Sequence, residues 1–356
     1  MEKRDIKSLT LPALEGELAG LGLPRFRAGQ VYGWLHQKRV STFAEMTNLP
    51  AALRGQLDEK YYINAIQVKK KLVSKLDGTV KYLYELRDGN CVEAVLMHYH
   101  HGSSLCISSQ VGCRMGCKFC ASTLAGYVRD LTASEMLDEV YTAQRDSGSR
   151  VDGVVLMGIG EPLDNFDNVM DFLELLSSPQ GLNLSLRHVS LSTCGLVDKI
   201  YALAQRRLQL TLSISLHAPN DEIRDRSMPI NRKYNMERLL AACRDYFAVT
   251  GRRISFEYAL IAGVNDSPAC ARQLAERLRG MGAHVNLIPV NEVRETGFKR
   301  GSRAQIQGFQ RQLQQLGVNA TIRRELGADI SAACGQLRRQ TAAELAPLSR
   351  PAGGDL

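Results

Sequence analysis

The chain has 356 residues, 44% hydrophobic and 23% charged, enough for one large domain or a catalytic domain with a small appendage, which excludes disorder as the dominant state. Its net charge of +8 lies at the ends: residues 1–100 hold 15 basic against 11 acidic side chains, residues 291–356 hold 10 against 6, and the stretch between is balanced at 20 each, a split that suits a polyanionic partner held by the flanks. No apolar run approaches the roughly 18 residues of a membrane helix, residues 1–27 lack a signal-peptide core, and nine cysteines, an odd count, point to a cytoplasmic protein whose thiols serve metal or redox chemistry rather than a disulfide framework.

Residues 1–62 read as short helices, with Val31, Trp34 and Leu35 on one face and Leu53 and Leu57 one turn apart. From residue 63 to 100 the period becomes two. Val80, Tyr82, Tyr84 and Leu86 alternate with charged residues, Asp77-Gly78 is a turn signal after Val68–Lys75, and a further strand runs from Cys91 to Met97. Lys69, Lys70, Lys71, Lys75 and Lys81 cluster here and read as a solvated strand edge protected against aggregation.

Residues 101–340 then repeat strand and helix. The strands expected are Leu105–Ser108, Gly153–Met157, His188–Ser192, Leu210–Leu216, Ile254–Leu260 and His284–Ile288. One helix between them opens with the capping box Thr132 and Glu135; another carries Ile306, Phe309, Leu313 and Leu316 on one face and stops at Gly317. Six such units predict an α/β fold with a mostly parallel sheet, open or a partial barrel, whose chemistry lies at the C-terminal strand ends. Residues 341–356 read as a flexible tail.

After the first of these strands comes Cys113-Arg-Met-Gly-Cys117-Lys-Phe-Cys120, three thiols within eight residues on a Gly- and Ser-rich loop. Such a triplet can hold a 4Fe-4S cluster with one iron left open for a small molecule. A zinc site needs a fourth protein ligand, which Cys106 or Cys334 can supply by count, so both readings stand on spacing alone.

The triplet, with Phe119 before its third cysteine, resembles the signature of radical S-adenosylmethionine (SAM) enzymes. Leu105–Cys113, Gly158-Ile-Gly-Glu-Pro-Leu163, Ser215-Leu-His-Ala-Pro-Asn220 and Asp329–Leu337, from about residue 10 to 340 in all, resemble the RlmN family of dual-specificity rRNA and tRNA adenine carbon-2 methyltransferases. The resemblance implies a partial (β/α)6 radical SAM barrel with a small helical N-terminal domain and a connecting β-hairpin. It implies a 4Fe-4S cluster on Cys113, Cys117 and Cys120, and SAM, two molecules per turnover, held by Gly160, Glu161, Ser192, Ser215, Leu216, His217 and Asn291. The partners it implies are 23S rRNA near the peptidyl-transferase centre, tRNA beside the anticodon, and a reducing electron donor.

Carbon 2 of adenine lies between two ring nitrogens and is electron-poor, so it cannot attack a methyl sulfonium as a nucleophile; a radical route suits it. By resemblance, Cys334 carries the methyl as S-methylcysteine and becomes bonded to the RNA, Glu93 accepts the ring proton, and Cys106 resolves the adduct through a transient Cys106–Cys334 disulfide. Taken singly, Cys106 is a buried strand cysteine and Cys334 an inert thiol in a small-residue loop, and their pairing with the triplet reverses both judgements; His217 taken singly is a satisfied core histidine and Ser192 a strand-end cap. Cys194 departs from the family pattern, and it receives no role, as do Cys91, Cys243 and Cys270. Two other readings stand beside this one. Carbon-8 methyltransferases of the Cfr type share the cysteines, although they usually carry Ala where this chain has Pro162. The other is a non-catalytic, metal-binding, RNA-associated protein.

Overall fold

The computed structural model describes residues 3–124, 126–290 and 297–332. Asn291, Cys334 and the expected tail at 341–356 lie outside the described residues.

One ten-stranded sheet organises the molecule, with its strands in sequence order: β1 (Gln67–Val73), β2 (Val80–Glu85), β3 (Cys91–Tyr99), β4 (Gly102–Cys106), β5 (Gly153–Leu156), β6 (Val189–Thr193), β7 (Thr211–Ser215), β8 (Ile254–Leu260), β9 (His284–Pro289) and β10 (Asn319–Ile322). The pairings β1–β2, β2–β3 and β3–β4 are antiparallel, and from β4 to β10 every neighbour is parallel. The hairpin at 63–100 is therefore continuous with the parallel sheet. Seven parallel strands replace the six expected, because the short run Asn319–Ile322 adds an edge strand beside β9. The ladder ends at β1 and β10 without closing, a partial barrel.

The parallel strands alternate. On β6 Val189 and Leu191 are buried while Ser190 and Ser192 are half-exposed, and β9 repeats this with Val285 and Leu287 against His284 and Asn286. The apolar side joins the apolar stripes of α1 (Ala133–Ser147), α2 (Phe166–Ser177), α3 (Val197–Gln205), α5 (Met236–Thr250), α6 (Pro268–Arg277) and α7 (Arg303–Gln315) in one core; α4 is the short helix Asp221–Ser227. The other side is polar across the strands, with Ser213, Ser255 and His284 in one row and Ser215, Glu257, Asn286 and Thr321 in the next. Closed barrels fill this side with branched apolar residues. Here it lines a trough of about 670 Å³.

Both expected helix signals form. Thr132 and Glu135 cap α1 reciprocally, and Gly148 in the left-handed region ends it. Helix α7 buries Ile306, Phe309 and Leu313, but Leu316 lies past its end and is exposed; the chain has already begun to turn into Gly317, whose φ is +81°.

The N-terminal helices Leu11–Ala19, Phe26–Gly33 and Ala51–Lys60 dock on α1 through buried polar groups. Lys7 pairs with Asp138 and donates to the Asn64 carbonyl at 3.1 Å, while Asn64 donates to the other Asp138 oxygen at 2.9 Å. His36 and Tyr141 meet at 3.3 Å. Apolar burial attaches the two parts, and the pair fixes their register, since a buried charge tolerates little displacement from its partner. Lys7→Met leaves Asp138 buried and unpaired and is expected to cost about 3–5 kcal/mol in unfolding free energy. Urea denaturation measures it, and a loss under about 1 kcal/mol is inconsistent with the pair as the docking element.

Candidate active site

Beyond β4 the chain makes a short antiparallel ladder, Gln110–Gly112 against Tyr127–Asp130, and the cysteine loop is held between its arms. Gly112 is obligatory there: its φ is +84° and a Cβ would lie 1.8 Å from the Gly126 carbonyl oxygen. Arg114 makes a two-pronged bond to Asp164 at 2.7 and 2.8 Å. Gln110 donates to Asp164 at 3.0 Å and accepts from the Glu161 N–H at 2.9 Å, so one side chain ties the cysteine loop to the loop after β5.

Cys113 and Cys117 are buried and Cys120 half-buried; Cys117 and Cys120 share an apolar nest with Cys194, Met228, Met115 and Phe119. Burial pushes the Cys113 thiol up to about 12 and raises Cys117 further, helped by the neighbouring thiols. Among the described residues no three His, Cys, Asp or Glu side chains are drawn together tightly enough to hold a single ion. The three sulfurs instead line one wall of a cavity of about 270 Å³, whose other walls include Gly160, Glu161, Ser192, Ser215 and His217. Three soft donors beside a mainly apolar cavity that carries a few polar groups fit a site where the thiols would hold an iron–sulfur cluster and a small molecule would complete it.

The polar walls are built by strand ends and by the loops just past them. Gly160 and Glu161 follow β5 after a turn rather than ending it. A Cβ on Gly158 would come within 2.4 Å of the Ile107 oxygen, and one on Gly160 within 2.7 Å of the Gln110 backbone nitrogen, so both glycines let this loop cross the cysteine loop at contact distance. Glu161 accepts N–H bonds from Cys194 at 2.7 Å and Leu163 at 3.1 Å. Burial raises its carboxyl and the Cys194 N–H opposes that; an ammonium entering the cavity would favour the ionised form. The Ser192 and Ser215 hydroxyls lie 3.4 Å apart on adjacent strands.

His217 sits at φ +56° and stacks edge-on against Phe119 with ring centres 4.8 Å apart. Its Nδ1 accepts the Ala259 N–H at 2.8 Å, which puts the ring proton on Nε2. Burial pushes the imidazole down to about 3, so it stays neutral at physiological pH. Leu216 is fully buried and is not among the residues lining the cavity; its carbonyl accepts from Arg224 at 3.1 Å.

Arg224 holds these strand ends together. It is fully buried, on α4, and donates to the carbonyls of Leu216 at 3.1 Å, Cys194 at 2.6 Å and Ser215 at 3.3 Å, and to Asn231 Oδ1 at 2.9 Å. Sequence reasoning missed it, because a basic residue in Asp-Glu-Ile-Arg-Asp-Arg has the local signature of a surface helix.

A second cavity, of about 570 Å³, adjoins the first; Met157, Gly158, Ile288, Pro289 and Arg323 line both. Glu93 and Cys106 line it, and so do Ser331 and Ala332, the last described residues before Cys334. Glu93 is buried and paired with Lys81 at 3.0 Å. Burial pushes the Cys106 thiol up to about 11 against the pull of the Arg323 guanidinium, which leaves it a neutral thiol at pH 7. Lys81, expected at a solvated edge, is 1% exposed; the edge is β1, where Lys69 and Lys71 pair with Glu85 and Asp146.

A family model described as Radical SAM superfamily matches residues 107–271, and one described as Ribosomal RNA large subunit methyltransferase N-terminal domain matches residues 4–63. The chain is 55% identical over 336 residues to a probable dual-specificity RNA methyltransferase RlmN of Lachnospira eligens, covering 94% of this chain and 96% of that protein. It is 52% identical over 342 residues to a protein of the same description from Pelotomaculum thermopropionicum, covering 96% and 93%. A crystal structure of a radical SAM methyltransferase from Sphaerobacter thermophilus is similar to it with a TM-score of 0.87 at 42% identity, over 94% of this chain and 98% of that one.

Arg224→Lys keeps the charge and removes the guanidinium fork, and its expected cost is about 2–4 kcal/mol in unfolding free energy. Chemical denaturation checks this; a change under about 0.5 kcal/mol would mean that the fork does not secure the strand ends.

Proposed function

The chain belongs to the RlmN family of radical SAM RNA methyltransferases, and from that premise we propose that it methylates carbon 2 of one adenosine in 23S rRNA near the peptidyl-transferase centre, and of the adenosine 3' of the anticodon in tRNA. It acts in the cytoplasm on two SAM molecules per turnover and draws electrons from an external reductant. The observation that carries this reading is the pair of adjoining cavities. One is lined by three cysteine thiols and polar strand-end groups, and the other by a buried carboxylate, a thiol and the chain leading to Cys334.

Cys113, Cys117 and Cys120 would hold the cluster, and Glu161, Ser192, Ser215 and His217, with Asn291 outside the described residues, would hold SAM. Bound there, the two supply a methyl group and a 5'-deoxyadenosyl radical. Gly160 keeps the wall free of side chain where the ligand must approach the backbone. Glu161 receives the SAM ammonium, and neutral His217 offers Nε2–H as a donor.

Cys334 would carry the one-carbon unit as S-methylcysteine: loss of a hydrogen atom from that methyl lets its carbon bond adenine carbon 2, and the radical adduct gives up one electron to the reducing centre as it loses the carbon-2 proton. Glu93 accepts the proton leaving that carbon. The Cys106 thiolate then attacks the Cys334 sulfur; the sulfur–carbon bond breaks, the electron pair stays with the departing carbon, and protonation completes the methyl group as the Cys106–Cys334 disulfide forms. The raised Cys106 thiol keeps this step from running early, since only the thiolate is nucleophilic. The basic flanks and the N-terminal helices contact RNA phosphate, which positions the substrate without reading its sequence.

Cys334→Ala is expected to retain the cluster and reductive SAM cleavage while RNA methylation falls below detection. Iron and sulfide assays, 5'-deoxyadenosine release and nucleoside mass spectrometry check the three separately. Normal methylation by this variant would remove Cys334 as the carrier, and a protein that takes up zinc and never cleaves SAM would favour the non-catalytic reading.

A further inference from the structure

The turn between β1 and β2 clasps the segment that leads to Cys334. Asp329 accepts from the Ser74 hydroxyl at 2.6 Å and from the Lys75 N–H at 2.8 Å, and Asp77 accepts from the Gly327 N–H at 2.9 Å. That N–H holds the Asp77 carboxyl down at about 2. From β2 beside this turn, the Lys81 ammonium reaches Glu93 at 3.0 Å and the Ser331 carbonyl at 3.0 Å, with Lys81 1% and Glu93 3% exposed. Ser331 itself lies at φ +47°, a conformation that a non-glycine residue keeps only where its surroundings fix it.

We propose that Lys81 is a positioning residue for the proton-transfer step: its ammonium keeps Glu93 in the proton-accepting form and, through Ser331, fixes that base relative to the segment leading to Cys334. This rests on the reading of Glu93 as base and Cys334 as carrier. A buried carboxylate without its counter-charge is driven towards the neutral form, which cannot accept a proton. Lys81 prevents this at no cost in access, because it approaches from the sheet while Glu93 lines the cavity.

The other charged groups lining the cavity are Arg300, Arg323, Arg324 and Glu325.

The test uses full-length, cluster-loaded Lys81→Met, Lys81→Arg and Glu93→Gln proteins with an RNA substrate. Lys81→Met is expected to cleave SAM normally, to accumulate the covalent protein–RNA adduct, and to form product at least about tenfold more slowly at pH 7. The acidic limb of its pH–rate profile should move up by about one unit or more, and amide hydrogen exchange at 327–332 should quicken. Lys81→Arg should restore most of the rate. Product formation by Lys81→Met at the wild-type rate overturns the proposal, and so does an equal slowing of both Lys81 variants with an unmoved pH profile. Wild-type methylation by Glu93→Gln would overturn the underlying assignment of the base instead. A silent Lys81→Met beside an inactive Glu93→Gln sinks the Lys81 proposal alone.

Discussion

A single buried guanidinium sets the geometry on which the cavity beside the three cysteines depends. Parallel strand ends leave their last carbonyls without ladder partners, and the turns past β6 and β7 also have to be held in place around the cavity. Arg224 meets both demands by donating to Cys194 after β6 and to Ser215 and Leu216 at the end of β7. The Cys194 N–H then fixes Glu161, the Leu216–His217 turn puts His217 at a positive φ, and Asn265 completes that turn by donating to the His217 carbonyl at 2.8 Å. Burying a cation is costly, and several carbonyl acceptors from two strand ends offset that cost only when the strands stand in this one arrangement.

The second determinant is a sheet with two unlike faces. Its apolar side is a conventional core against helices. Its polar side would be a poor barrel core, and because the ladder does not close it becomes a trough that connects with the cavity holding Glu93 and Cys106 through Met97, Tyr99, Met157, Arg323 and Arg324. An open edge suits a macromolecular substrate, whose base must enter sideways while its backbone stays outside. The antiparallel strands β1 to β3 extend this sheet and hold both the buried carboxylate and the clasp on the 327–332 segment.

The parts legible in the sequence carry their information locally. The Thr132–Glu135 capping box and the Asp77-Gly78 turn each need only a few neighbouring residues and form where expected, and the cysteine triplet is a local spacing read directly from the sequence. Arg224 and Lys81 were illegible because their partners come from the other end of a helix–strand unit or, for Ser331, from 250 residues away; charge alone reads as surface. The polar trough lies between these cases. Ser190, Ser192, Thr211, Ser213 and Ser215 alternate with apolar residues, whereas parallel strands buried on both faces read as continuous apolar runs. That alternation was a readable signal of an unfilled barrel face, and the strand β10 went unseen because Asn319–Ile322 is only four residues long.

The central claim is the carbon that receives the methyl group. Nucleoside mass spectrometry of 23S rRNA and tRNA from cells with and without this protein tests it most directly. The account predicts 2-methyladenosine in the first and its loss from both RNAs in the second. 8-Methyladenosine in its place, or an unchanged nucleoside profile, would contradict it.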